Sequence, residues 1–229
     1  MRYLKLIILG LVIFTLGFKS KAQIQENRTI QYIDSIEVLI EKIWGESTFK
    51  ETVSHDIFLT AMRGYYKFNS FKTGEISIID YSMPSTAKRF YVIDLVNKTL
   101  LFNTLIAHGK NTGNNSTVRF SNIPKSLESS LGFFKTAETY IGKHGYSLKL
   151  DGLEKGINDN ARKRSIVIHG ATYVSSKFMK KNGRLGRSWG CPALPVLLTT
   201  EIINKISNGT CLFIYGNSEE YLTSSMFLK

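Results

Sequence analysis

The chain has 229 residues, of which 43% are hydrophobic and 21% charged, a composition typical of a folded globular protein and unlike that of a disordered one. Two cysteines are too few for a disulfide-rich miniprotein, and only the first stretch is long and apolar, which excludes a multi-span membrane protein. The net charge of +12 suggests an anionic partner.

The N-terminus has the three parts of a secretory signal peptide. Arg2 and Lys5 precede an apolar run of 13 residues, Leu6–Phe18, and Ser20-Lys21-Ala22 then offers the small residues that signal peptidase recognises. A membrane-spanning helix needs roughly 20 apolar residues, so the run is too short for an anchor. We therefore predict a signal peptide over residues 1–22, no membrane span after its removal, and export to the periplasm or cell envelope. Because an exported protein does not ordinarily meet nucleic acid, the positive charge favours an envelope anion.

A helical N-terminal segment is predicted over residues 23–73. Apolar residues recur at spacings of three and four across residues 27–44, which predicts an amphipathic helix. Ser54 is a suitable N-cap for a second helix that ends near Phe68. The segment could pack on the following domain, cap its cleft or bind a partner.

From Gly74 onward the pattern changes to that of β-strands. Strands are predicted at residues 75–80, 89–95, 99–107, 133–140, 146–150, 164–168 and 210–215, with polar loops at 109–117, 151–164 and 180–190. Pro195 fits the start of a helix that ends near Ser207, with Gly209 just beyond it. We expect a mostly β domain over residues 74–217 with one or two helices, followed by a C-terminal tail, 218–229.

The segment between Arg164 and Pro195 contains the candidate site. A predicted strand ends at His169-Gly170, and Gly190-Cys191 follows in a loop. A thiolate is a nucleophile, and a neighbouring imidazole can take the thiol proton. A glycine before the cysteine allows a substrate carbonyl to approach the backbone, where main-chain N–H groups can stabilise an oxyanion.

The charge around this segment is strongly positive. Residues 160–191 contain eight Lys or Arg residues and no Asp or Glu. Such surroundings lower a thiol pKa and attract carboxylates, for which the guanidinium groups of Arg184 and Arg187 are suited. Trp189 could form a wall of the cleft, and His108, at the end of a predicted strand, is a further candidate for its lining.

Two structural interpretations of these residues compete with catalysis. Cys191 and Cys211 could form a disulfide in an oxidising compartment, although Cys211 lies in an apolar run typical of a core strand. Cys191 and three histidines are also of metal-ligand types, but no two of them are closely spaced, which argues against a zinc site. The histidines are His108, His144 and His169.

The order of these residues resembles a known catalytic motif. His169-Gly170 followed by Ser188-Trp189-Gly190-Cys191 is similar to the motif of the L,D-transpeptidases, cysteine enzymes that cross-link bacterial murein. The sequences AHGKNTG, LEKGINDNARKR and GRLGRSWGCPALP resemble one branch of these YkuD-like enzymes, a murein L,D-transpeptidase catalytic-domain family. The resemblance covers roughly residues 74–215.

The resemblance implies a fold and a set of roles. It implies a β-rich catalytic domain in which Cys191 is the nucleophile, His169 the general base and Gly170 the third member through its main-chain carbonyl. Ser188 and Gly190 would shape the loop, and the N–H groups of Gly190 and Cys191 would stabilise the oxyanion. The implied reaction is acyl transfer between peptidoglycan stem peptides through a thioester, with no metal or organic cofactor.

Two departures from the wider family concern the substrate. Trp189 stands where the family often has histidine, and Ala193 where it often has arginine or asparagine. We expect Arg184 or Arg187 to take over the carboxylate contact. The same thiol would also serve a carboxypeptidase or endopeptidase, and a non-catalytic wall-binding module could keep the fold. The oligomeric state is open.

Overall fold

The computed structural model describes residues 2–68, 70–72 and 74–228, with the backbone alone over residues 2–21. The chain divides into two compact units, Met1–Lys42 and Ile43–Lys229. Nearly all side chains of the predicted signal peptide lie outside the described residues. Among the helices whose side chains are described, none combines the length and apolarity that crossing a bilayer requires.

The first unit is helical. Helix α1 runs from Arg2 to Gly45, which confirms the helix predicted over residues 27–44. In the second unit, helix α2 (His55–Lys67) confirms the second predicted helix. Ser54 occupies its N-cap position, where its carbonyl, rather than its side chain, accepts a hydrogen bond from the Phe58 N–H at 2.9 Å.

Eight strands of the second unit form one sheet, in the order β3-β2-β1-β8-β4-β5-β6-β7. The β1–β8 and β6–β7 pairs are parallel, and the other pairs are antiparallel. The strands are β1 (Glu75–Asp80), β2 (Phe90–Asp94), β3 (Thr99–Thr104), β4 (Gly132–Gly142), β5 (Gly145–Gly152), β6 (Val167–Gly170), β7 (Ala193–Leu194) and β8 (Cys211–Tyr215). The mostly β fold class is confirmed.

Three helices follow α2, two of them within residues 74–217, as expected, and one in the C-terminal tail. They are α3 (Ser176–Asn182), α4 (Val196–Ile206) and α5 (Glu219–Ser224). Helix α4 corresponds to the helix predicted after Pro195 and packs against β5 and β6.

Helix α2 belongs to the core of the second unit. A methyl group on its Gly64 would lie 2.0 Å from the ring of Phe133, so the helix backbone packs directly on β4. The ring of Phe133 stacks in turn on Phe213 of β8, with centroids 4.4 Å apart. The compact unit begins at Ile43, well before the predicted boundary at Gly74, because α2 supplies part of its apolar core.

The C-terminal tail also packs on the sheet. Glu154 is buried and accepts hydrogen bonds from the N–H of Phe133 at 2.7 Å, the hydroxyl of Tyr221 at 3.1 Å and the hydroxyl of Ser225 at 2.5 Å. Burial raises the pKa of its carboxyl above the ordinary value. The LEKGINDN segment therefore ties the tail to β4 and does not extend into the candidate site.

Candidate active site

The sheet edge places the candidate nucleophile beside the candidate base. His169 of β6 pairs in register with Ala193 of β7, and its N–H donates to the Pro192 carbonyl at 3.4 Å. Cys191 is the residue immediately before Pro192. On the other side, Ala107 exchanges two backbone hydrogen bonds with Ala193, at 2.9 and 3.2 Å. The loop that contains Cys191 is therefore held between β6 and the segment after β3.

Both side chains line one cavity of about 400 Å³. Its described lining contains three cations and no carboxylate, so it suits an anionic ligand. The lining residues are Tyr140, Lys143, His144, Arg164, Ser165, Val167, His169, Tyr173, Arg187, Ser188, Trp189 and Cys191.

Hydrogen bonds fix the loop from Ser188 to Cys191. The Ser188 N–H donates to the His108 carbonyl at 3.0 Å, and its hydroxyl donates to the Cys191 carbonyl at 2.6 Å. The same hydroxyl accepts the Gly190 N–H at 3.1 Å, and the Ser129 hydroxyl donates to the Gly190 carbonyl at 3.0 Å. The Gly190 N–H is thus engaged within the loop, whereas that of Cys191 has no partner among the described residues.

Gly190 adopts a backbone conformation that other residues avoid. Its φ is +126°, and a methyl group there would lie 2.8 Å from the Glu128 carbonyl oxygen. A side chain at this position would therefore be both strained and in collision with backbone. The path of the loop into Cys191 depends on glycine.

The Cys191 thiol is half-buried. It donates a hydrogen bond to the Ser165 carbonyl at 3.6 Å, and Ser165 itself has a left-handed φ of +56°. Burial raises the pKa of the thiol, while a backbone hydrogen bond at Val167 and the positive charge of Arg164 act in the opposite direction. Burial therefore favours the thiol over the thiolate at this position.

His169 is held in the tautomer that a general base needs. Its side chain is almost fully buried, and its Nδ1 lies 3.0 Å from the Gly170 carbonyl oxygen. Because a carbonyl only accepts, Nδ1 carries the proton and Nε2 is left with a free lone pair. Burial lowers the pKa of the imidazole, an effect that the Gly170 hydrogen bond opposes and the nearby His144 reinforces.

The tip of the β4–β5 hairpin forms another wall of the cavity. The ring of His144 stacks on that of His169 with centroids 4.4 Å apart and planes 23° apart. The ammonium of Lys143 lies 5.1 Å from the ring centroid of Trp189, which is 71% exposed. Trp189 therefore lines the open side of the cavity.

We predict that His144→Gln moves the acid limb of the kcat/KM profile to higher pH. In the native protein the pKa of His169 lies below its ordinary value of 6.5, so that limb should lie below pH 6.5. Removing the cationic form of His144 removes a charge that opposes protonation of His169, whose pKa then rises. The control is Lys181→Gln, on the exposed surface of α3. A limb that stays in place or moves to lower pH would contradict the coupling.

His108 does not line the cavity. It is 1% exposed, and its Nδ1 accepts a hydrogen bond from the Arg89 guanidinium at 2.7 Å. Burial, together with the charge of Arg89, lowers the pKa of His108 to about 3, so the imidazole is neutral. This corrects the expectation that His108 lines the cleft. It supports the loop instead, through its carbonyl bond to the Ser188 N–H.

Arg89 itself was not singled out by the sequence. The residue is fully buried, donates to the carbonyls of Met83 and Ile106 at 2.7 and 3.0 Å, and lies over the ring of Tyr81. Burial lowers its pKa to about 10, which leaves it charged at neutral pH.

We predict that Arg89→Met lowers the free energy of unfolding by about 2–5 kcal/mol, because it leaves buried carbonyl oxygens and the His108 Nδ1 without donors. Urea unfolding measures the change. Arg184→Met serves as the control, with an expected change within about 0.5 kcal/mol. Equal stability of the two variants would contradict the role of Arg89.

The two arginines expected to hold carboxylates are placed differently. Arg187 lines the cavity and donates from Nη1 to the Gly113 carbonyl at 2.9 Å. Arg184 donates to the neighbouring Leu185 carbonyl at 2.7 Å and is not among the lining residues. Its guanidinium is directed to its own loop, so the structure leaves Arg187 as the candidate of the two.

The structure also bears on the disulfide and the metal site. Cys191 and Cys211 are both free, and Cys211 is buried within β8. Among the residues with described side chains, no three or more of the usual metal-ligand types are grouped to hold an ion.

Residues 49–215 match the family described as the L,D-transpeptidase catalytic domain. The chain belongs to this family. The match begins ahead of α2 and ends with β8, so it includes the sheet and both candidate catalytic residues. Comparison with curated protein sequences gave no match.

Solved L,D-transpeptidase structures resemble the chain only distantly. One from Mycobacterium smegmatis is 12% identical over 62% of this chain and 59% of its own, with a TM-score of 0.38. One from Stackebrandtia nassauensis is 14% identical over 79% and 76%, with a TM-score of 0.38. The helical cell shape determining protein Pgp2 from Campylobacter jejuni is 14% identical over 70% and 56%, with a TM-score of 0.42. The chain spans less than two thirds of the first and third of these proteins.

Proposed function

We propose that this protein catalyses cysteine-dependent acyl transfer between peptidoglycan stem peptides and forms 3→3 cross-links. The observation that supports this most directly is the shared cavity. A free thiol, Cys191, and a neutral imidazole, His169, with an available Nε2 line one opening whose described charges are all positive. Stem peptides carry carboxylates, which these cations would attract.

The first half of the reaction acylates the thiol. The Cys191 thiol leaves the Ser165 carbonyl and gives its proton to Nε2 of His169 as the sulfur attacks the carbonyl carbon of the third stem residue. The tetrahedral intermediate then collapses, the C–N bond breaks, and the terminal D-amino acid leaves with the proton that His169 returns to its amine. A thioester to Cys191 remains.

The second half transfers the acyl group to an amine. The side-chain amine of a second stem attacks the thioester carbon, and His169 takes a proton from the attacking nitrogen. The C–S bond breaks, and the sulfur regains a proton as the Cys191 thiol. The Gly170 carbonyl holds the imidazole in one orientation throughout, because it accepts a hydrogen bond from Nδ1–H in every step.

The oxyanion of both intermediates needs main-chain donors. The Cys191 N–H, which has no partner among the described residues, is the better candidate of the two that the sequence suggested. The Gly190 N–H already donates to the Ser188 hydroxyl. One such donor typically contributes about 10²–10³-fold to kcat.

Incubation with purified disaccharide-tetrapeptide, followed by mass spectrometry, tests the proposal. We expect 3→3 cross-linked dimers, release of the terminal D-amino acid, and neither product from Cys191→Ala. Trimmed monomers without dimers would replace the transferase with a thiol carboxypeptidase. Binding without any Cys191-dependent product would replace it with a wall-binding module.

We further propose that the protein acts outside the cytoplasm, since its family acts on the cell wall and residues 1–22 have the pattern of a signal peptide. N-terminal sequencing of protein recovered from the cell envelope should begin at Gln23. Recovery of the chain with residues 1–22 in the cytoplasm would contradict export.

A further inference from the structure

One cation of the cavity, Arg164, is held in place by the loop that spans residues 121–130. The guanidinium of Arg164 donates from Nη1 to the Ser121 carbonyl and the Ser130 hydroxyl, both at 2.5 Å. From Nη2 it donates to the Ser126 hydroxyl at 3.2 Å and the Glu128 carbonyl at 2.6 Å. Four hydrogen bonds to one loop leave this half-buried charge little freedom to move.

The same guanidinium packs against the residue before Cys191. A methyl group built on Gly190 would lie 3.5 Å from Nη2 of Arg164. The guanidinium therefore lies close to the loop backbone at Gly190, where a side chain would contact it. Arg164 also lines the cavity that Cys191 and His169 share.

We propose that Arg164 is the residue that stabilises the Cys191 thiolate. When the thiol proton moves to Nε2 of His169, a negative charge forms on the sulfur, and the fixed guanidinium lowers its energy across a partly buried, low-dielectric path. The role rests on the proposed function, since it presumes that Cys191 is the nucleophile. Arg164 does not need to touch substrate for it.

The other charged and titratable groups around the thiol are placed less favourably. His144 and His169 are imidazoles, of which His169 must be neutral to accept the proton. Lys143 lies over the ring of Trp189 at the open side. Arg187 is half-buried, and its Nη1 donates to the carbonyls of Lys110 and Gly113, which ties its guanidinium to the loop that follows β3.

Tyr140 and Tyr173, the remaining titratable groups of the lining, carry no positive charge. The charge of Arg164 and the ionisation of Cys191 favour each other. The positive charge of Arg164 lowers the pKa of Cys191 against the larger effect of burial, and a thiolate at Cys191 stabilises the charged form of Arg164 in return.

The test measures the reactivity of Cys191 toward iodoacetamide as a function of pH, without peptidoglycan, with peptide mapping to exclude the buried Cys211. Arg164→Gln should lower the alkylation rate at pH 7 roughly tenfold, the usual effect of losing one nearby opposite charge. Arg164→Lys keeps the charge and should restore most of the rate.

Loss of the four hydrogen bonds could also unfold the Gln variant, so a second pair of variants leaves Arg164 in place. Ser126→Asp puts a carboxylate against the guanidinium and should slow alkylation several-fold, whereas the neutral Ser126→Asn should not. A folded Gln variant that reacts like the native protein would overturn the proposal. Equal rates for Ser126→Asp and Ser126→Asn would overturn it as well.

The readout separates this proposal from the proposed function. A failure to form cross-links leaves the alkylation result intact, because alkylation needs no stem peptide. Conversely, cross-linking that depends on Cys191 together with an unchanged alkylation profile in the Arg164 and Ser126 variants would remove the role of Arg164 alone.

Discussion

Cys191→Ser is expected to lower kcat for cross-linking by about 10⁴–10⁶-fold, the range seen when the nucleophile of an acyl-transfer enzyme is lost. The serine hydroxyl ionises far less readily than a thiol, and the neutral His169 is a weak base for it. Quantification of 3→3 dimers gives the rate, and intact-mass spectrometry follows the acyl-enzyme. Native protein should gain the mass of the acyl group, and the serine variant should not.

The second cysteine provides a matched control for this substitution. Cys211 is fully buried in β8, where burial raises the pKa of its thiol well above the ordinary value, so it takes no part in the reaction. Cys211→Ala should lose some stability through the small cavity it creates and keep its cross-linking rate. If Cys191→Ser retained the native rate, or if only Cys211→Ala lost it, the assignment of the nucleophile would be wrong.

Strands β1 and β8 were predictable because both are largely buried and apolar. The strand predicted at residues 75–80 has the bounds of β1, and the one predicted at 210–215 differs from β8 by a single residue. Runs of isoleucine, valine and phenylalanine between turn residues carry this signal without reference to the rest of the chain.

The short elements depend on tertiary contacts that a local pattern does not contain. Strand β7 has two residues and exists because Ala193 pairs with both Ala107 and His169. The sequence predicts no element for most of helix α3 and a loop from residue 180, although Ser175 caps the helix by accepting the Phe178 N–H at 3.3 Å and Gly183 ends it with a φ of +68°. Those two cap residues were the signal available in the sequence.

The residues of the candidate site differ in the same way: some could be predicted from the local sequence, and others depend on tertiary contacts. The motif around Cys191 and His169 was sufficient to identify both residues as candidates, because a thiol and an imidazole near glycines indicate a nucleophile and its general base. The sequence did not distinguish Arg164 and Arg89, the two arginines that support the site. Arg164 was one of eight basic residues with no distinguishing neighbour, because its partners lie in the loop from Ser121 to Ser130. The sequence predicts Arg89 only as the start of a strand. Its buried position depends on hydrogen bonds to carbonyls elsewhere in the chain, those of Met83 and Ile106.

Gly190→Ala is expected to reduce the cross-linking rate by about 10²-fold or more and to lower the free energy of unfolding by about 1–3 kcal/mol. The stability loss follows from a φ of +126°, which alanine rarely adopts. The loss of rate follows from the collision of the new methyl group with the Glu128 carbonyl at 2.8 Å, which forces the loop to move. Because Cys191 is the next residue, its thiol moves with the loop, away from the position that Nε2 of His169 can reach.

A substitution at a second glycine, Gly156, separates the effect of backbone strain from the effect of displacing the loop. Gly156 also has a positive φ, +80°, but a methyl group there meets nothing within 4 Å, and the residue does not line the catalytic cavity. Gly156→Ala should therefore lose about 1 kcal/mol of stability and keep its activity. Urea unfolding measures the stability of both variants, and dimer formation measures their cross-linking rates. If Gly190→Ala lost stability to the same extent as Gly156→Ala but cross-linked at the native rate, the loop path into Cys191 would not require glycine for catalysis.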